Sequence, residues 1–175
     1  MKLARLSRIM SVLSMVGAAA LPAVTIWAFL DPGGTQFLML RLSHVGDGLN
    51  ASVPIQYRID AMAIELVPVG FAVWALWSLS RVFANYAQGR VFGPEPLRHL
   101  NRLAVALFAS VVADIAAQMP ITALLSWHLG PHHREISLSL GSDDVSRLFI
   151  AGAVLVIARV MAEARRMADE HAGFV

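Results

Sequence analysis

Four polar side chains, Glu65, Asp114, Gln118 and Arg159, stand inside or at the edge of long apolar stretches of this chain. An acid at the centre of a membrane span costs roughly 2.5–3.5 kcal/mol on insertion scales, so Asp114 in "LAVALFASVVADIAAQMPITALL" demands a compensating group. Arg159, in the last apolar run, is the nearest candidate in depth, because a long arginine side chain can bridge an offset of a few residues. Gln118 follows Asp114 by one helical turn and shares its face. This constellation has the chemistry of a proton or cation site, of a polar clamp between helices, or of an acid held neutral; the clamp is the expectation. Glu65 lies near one end of its apolar run, shortly before Pro68, where it can reach water.

A second cluster occupies "WHLGPHHREI". His128, His132 and His133, with Glu135, offer imidazole and carboxylate ligands that suit zinc or copper. His128 and His132 have helical spacing, but Gly130 and Pro131 break the helix that would align them. A solvated loop is therefore expected, with no metal and no other cofactor. The chain has no GxSxG, HExxH or phosphate-loop motif and no paired carboxylates in one stretch, so no enzyme is expected.

These groups must be positioned by apolar elements. Hydrophobic residues make up 57% of the 175 positions and charged ones 15%, far from the balance of a soluble domain. Spans are expected at about 9–30, 61–80, 103–125 and 146–163, each long enough or nearly so to cross about 30 Å of hydrocarbon as a helix. No cysteine is present, which excludes disulfides, thiolate metal sites and iron–sulfur clusters. The pI of 9.7 does not imply contact with nucleic acid, because the basic residues are spread along the chain instead of forming one patch.

That spread has its own pattern. Lys2, Arg5 and Arg8 precede the first span, Arg81, Arg90, Arg98 and Arg102 separate the second from the third, and Arg165 and Arg166 follow the fourth. The positive-inside rule then puts both termini and the 81–102 connection in the cytoplasm. Trp27, Trp77 and Trp127 fall near span ends, as interfacial aromatics do. A basic start followed by "AAALPA" also fits a cleavable signal peptide, but the apolar run to Leu30 is longer than a signal core, so an uncleaved anchor is expected. The fold class expected is an all-α membrane protein, a four-helix up-and-down bundle forming a single domain.

In the outer loops, 31–60 and 126–145, the periodicity changes. "QFLMLRLSHV" and "SVPIQYRI" flank the turn cluster "GDGLN", and "REISLSL" alternates Ile136, Leu138 and Leu140 with polar residues. Alternation of period two predicts half-buried strands, hence a small extracytoplasmic β-sheet cap. On the third span, Ala106, Ser110, Ala113 and Ala117 line up small side chains that admit a close helix neighbour, within the chain or in a homo-oligomer.

The connection "NYAQGRVFGPEPLRHLNRLA" reads as a cytoplasmic hairpin: Gly89 ends one helix, Pro94 and Pro96 suit a turn and a helix entry, and a new helix starts near Leu97. Its Gly89, Val91, Phe92, Glu95, Leu97 and Arg98, with the tail "IARVMAEARRMADEHAGFV", resemble the bacterial integral-membrane family of unknown function DUF2975. Gly93-Pro94-Glu95-Pro96 stands where that family more usually has a Ser/Thr-x-Glu-Asn turn. The resemblance implies an inner-membrane protein of four spans and a cytoplasmic helix-turn-helix regulator as a partner. An accessory or regulatory role is the expectation; the alternatives are a small transporter or ion-conducting protein using Asp114, and a structural subunit of a membrane complex.

Overall fold

A computed structural model describes residues 2–31, 54–90, 93–127, 138 and 140–172. They form four helices, α1 (Lys2–Leu30), α2 (Ile55–Ala87), α3 (Pro94–Trp127) and α4 (Ser142–Ala172). All four are long and apolar enough to cross a membrane. The apolar side chains are not confined to one face. Ile9, Met10, Val12 and Met15 on α1, and Leu148, Phe149 and Ile150 on α4, point in different directions around their helices and are all exposed. In water such continuous apolar surface would drive aggregation; against lipid tails it is the favoured surface. The chain is a multi-pass membrane protein.

The helix ends are set by local chemistry. Pro54 precedes α2 with φ −57° and ψ 143°, and its carbonyl accepts from Tyr57 N at 3.1 Å and Arg58 N at 3.4 Å. Proline fixes its own φ and needs no donor, so it suits a helix entry. At the entry to α4, Gly141 O accepts from Val145 N at 3.2 Å while Asp144 Oδ2 accepts from Gly141 N at 3.0 Å. An acid reaching back over the first turn satisfies an otherwise orphaned donor and complements the helix dipole. α2 ends at Gly89, whose φ of +78° lies in the left-handed region. Gly89 N donates to Tyr86 O at 3.0 Å and Arg90 N to Asn85 O at 3.1 Å, the paired bonds of a Schellman motif.

The expected β-sheet cap does not stand, since no strand occurs among the described residues. Residues 55–59, read from "SVPIQYRI" as a strand, are the first turn of α2. Their apolar positions fit either period: Ile55 and Ile59 alternate with polar residues but are also one helical turn apart. Leu138 and Leu140 have no regular structure. The remaining strand positions, 36–53, 136–137 and 139, lie outside the described residues.

Packing is sequential: the principal contacts are α1 on α2, α2 on α3 and α3 on α4. α1 and α2 are tied at both ends. Ser11 Oγ donates to Ser80 O at 3.0 Å at one end, and Arg58 Nη2 donates to Asp31 O at 2.6 Å at the other. Arg58 is buried and closes the carbonyl end of α1, where a cation is favoured. Between α2 and α3, Ala75, Leu103 and Ala106 form a buried cluster flanked by Leu79, Leu100 and Leu107. Ser78, Ala104 and Ala106 are fully enclosed, the small side chains that let helices approach closely in a membrane. Of the small-residue face expected on α3, Ala106, Ser110 and Ala117 are buried within the single chain and Ala113 is half-buried.

A Cβ at position 89 would meet nothing within 4 Å, so the demand there is on the backbone alone. Gly89→Ala is expected to lower the unfolding free energy by about 1–2 kcal/mol through the left-handed penalty, and Gly89→Asn by less. Reversible denaturation in detergent micelles measures both.

Candidate functional site

Two polar constellations lie on this scaffold, one at the hairpin end and one between α3 and α4. At the hairpin end, the last turns of α2 and the first turns of α3 enclose a cleft of about 420 Å3. Arg81, Asn85 and Gln88 line it from α2, and Arg98, His99 and Arg102 from α3, with Arg90 and Glu95 at the turn. The spacing is helical on both sides: 81, 85 and 88 share one face, as do 95, 98 and 102. The arginines in this connection are therefore gathered on a concave surface, beyond what their count could tell about orientation.

Several of these groups are held in place. The Arg81 guanidinium lies 5.3 Å from the Trp77 ring centroid, a cation–π contact one turn apart. Asn85 is buried and its Nδ2 donates to Arg81 O at 3.0 Å. Arg90 hydrogen-bonds Gln88 and lies 3.6 Å from Glu95. Arg98 and Arg102 are exposed and make no ion pair among the described residues. His99 lies one turn before the apolar run that opens at Leu103, and its Nδ1 is buried without a hydrogen-bond partner. Burial first, then the neighbouring Arg102 and Arg81, hold its imidazole below the usual histidine range. Leu97 is half-buried, while Val91 and Phe92 lie outside the described residues.

The second constellation corrects an expected pairing. Asp114 pairs with Arg147, whose Nη1 donates to Asp114 Oδ2 at 3.3 Å. Arg159 was expected to fill that role and does not, because helix register decides it. Successive spans run antiparallel, so residues after Arg147 face residues before Asp114. Buried Ala151 and Ala158 follow Arg147 at the same spacing at which buried Ser110 and Leu103 precede Asp114. Extending that register puts Arg159 level with Arg102, about 18 Å along the axis from Asp114. Arg159 is exposed there and belongs to the arginine-rich end.

The Asp114 side chain is 19% exposed and that of Arg147 is 52% exposed. Arg147 stands just ahead of the apolar run of α4, so its guanidinium can reach down to the acid or up toward water. Gln118 and Glu65 are half-buried, and both are partnered. His128, His132 and His133 lie outside the described residues; among the described residues no group of three histidine, aspartate or glutamate side chains is placed to hold a metal.

A charge pair between two spans acts as a clamp only if the partners are energetically coupled. Asp114→Asn and Arg147→Gln are each expected to reduce the folded protein recovered from membranes. The double variant should lose less than the two singles together, with a coupling of about 0.5–3 kcal/mol. A thermal-unfolding double-mutant cycle in micelles checks this.

Comparison with known proteins returns no curated protein and no solved structure that matches the chain. A family model does match, described as protein of unknown function (DUF2975), over residues 49–173. The match takes in α2, the Gly89 turn, both walls of the cleft, the Asp114–Arg147 pair and all of α4. By that span the chain belongs to the DUF2975 family, a small membrane protein of unknown activity.

Proposed function

We propose that this protein is a non-enzymatic accessory protein of the bacterial inner membrane, which presents its arginine-rich end to a cytoplasmic regulatory partner. The observation that carries this reading is the excess length of the helices at that end. α2, α3 and α4 have 33, 34 and 31 residues, or about 45–50 Å each at 1.5 Å per residue, against about 30 Å of hydrocarbon.

Residues 81–87 of α2, 94–102 of α3 and 163–172 of α4 continue past the apolar runs by about 10–15 Å each. A chain that needed only to cross the bilayer would turn at its surface. Here the three extensions make a helical layer outside the hydrocarbon, bearing Arg98, Arg102, Arg165 and Arg166, with Glu163 paired to Arg166 at 2.8 Å. Rigid helix surface of mixed charge suits recognition of a soluble protein. The positive-inside rule places this layer in the cytoplasm.

Asp114 favours a second reading, a small transporter or ion-conducting protein, since intramembrane acids often line ion paths. Its pairing with Arg147 supports a clamp instead. The two differ in outcome: transport predicts that Asp114→Asn abolishes a flux while the folded protein stays at its normal level.

The test is a crosslinked pull-down from native membranes with a tag after Val175. A specific soluble protein is expected in the eluate, recovered several-fold less from Arg98→Glu at equal membrane level. Recovery of bulk membrane proteins alone would sink the reading.

A further inference from the structure

The cleft at the hairpin end has a ligand chemistry of its own, independent of whether a protein partner docks on the same helical layer. Four arginines, Arg81, Arg90, Arg98 and Arg102, converge on it from two helices, against one carboxylate, Glu95. That carboxylate is turned to Arg90 at 3.6 Å, which leaves the charge of Arg81, Arg98 and Arg102 unbalanced by any acid lining the cleft. Like charges gathered at a concave surface repel one another more strongly than on an open face, because the walls exclude water. An anion seated among them converts that repulsion into attraction.

The kind of anion follows from the donors. Guanidinium groups present planar forks that match the oxygens of a phosphate two at a time, and four of them exceed what a single carboxylate can accept. Asn85 and Gln88 add neutral polar edges to the α2 wall. His99 forms part of the α3 wall, with its Nδ1 buried behind that surface. The volume of about 420 Å3 falls within the usual size of small-ligand sites. It holds a phosphate with part of the group it is attached to. Arg81 stacked on Trp77 ties one side of the cleft to a residue class that sits at membrane surfaces, so headgroup phosphates lie within reach as well as free ones.

We propose that this cleft is a phosphate-binding site, taking either the headgroup phosphate of an anionic lipid or a free phosphate anion, with Arg98 and Arg102 as its principal ligands.

The full chain, purified in a lipid-stripping detergent, serves for both sources. In one arm, inorganic phosphate is titrated against chloride at equal ionic strength while the unfolding midpoint is followed. In the other, the protein is reconstituted with phosphatidylcholine or phosphatidylglycerol, and the lipids retained are counted by native mass spectrometry. A saturable phosphate-dependent rise assigns the site to free phosphate; preferential retention of phosphatidylglycerol assigns it to a headgroup.

In whichever arm responds, Arg98→Gln and Arg102→Gln should each weaken binding about tenfold, as expected for loss of a charge-assisted contact. Glu95→Gln should tighten it, a direction that a folding defect cannot mimic. Arg165→Gln, outside the cleft, should leave it unchanged. The proposal falls if neither arm responds, or if the three cleft variants behave as the parent does. Because no partner protein is present, that failure would leave the docking reading untouched.

Discussion

Between helices surrounded by lipid, burying apolar surface gains little, because the tails outside are as apolar as the neighbour inside. What holds such helices together is close approach, and close approach needs small side chains. α2 and α3 meet this demand with Ala75 and Ala106, almost wholly enclosed where they pack with Leu103. The rest of the structure is referred to that pair. α1 leans on α2 through the Ser11–Ser80 and Arg58–Asp31 bonds, and α4 leans on α3 through the Asp114–Arg147 pair and its own Ala151 and Ala158. The two outer helices expose most of their length and are correspondingly dependent on a few polar ties.

Those ties explain why charged and hydroxyl groups occur where hydrocarbon would seem to forbid them. A serine pair across α1 and α2 replaces bonds that neither side chain could make to lipid. Arg58 neutralises the carbonyl end of α1 at the point where the chain leaves it, and Arg147 neutralises an acid between two spans. These three ties each join a polar group to a partner across a helix contact, while Ser14, Ser110 and Thr122 turn back to carbonyls of their own helix. The membrane makes such bonds matter for geometry even where their net free energy is modest.

The amino-acid sequence discloses the helices readily, because runs such as residues 9–30 and 103–125 are apolar all round and too long for anything else in a bilayer. It discloses the Gly89 turn for a local reason, since only a residue tolerant of positive φ closes a helix in this way. It does not disclose where α2 and α4 start. Their first turns are polar, held by Pro54 and Asp144, and an apolar run says nothing about them. Nor does it disclose register. Depth along the apolar runs points Asp114 to Arg159, whereas the packed helices bring Arg147 opposite it. The cleft was half visible: Glu95 and Arg98 stood out in the hairpin motif, while Arg81 and Arg102 read only as topogenic charges. The repeats 81, 85, 88 and 95, 98, 102 were the available signal, but they acquire meaning only once α2 and α3 are known to pack face to face.

The distinction between topogenic and recognising arginines bears on what the hairpin is for. Orientation in the membrane requires only that positive charge lie close to the span ends; arginines splayed outward on any helix face would satisfy it with less mutual repulsion. Here four of them turn toward a shared concavity, one fixed on an indole ring and another on the acid at the turn. The Schellman turn at Gly89 and the alanine-rich contact below it keep the two walls from separating to relieve that repulsion. An arrangement that topology does not need, and that electrostatics alone disfavours, is the kind a bound anion would stabilise. The helical layer beyond the bilayer is accordingly more than a turn that returns the chain to the membrane.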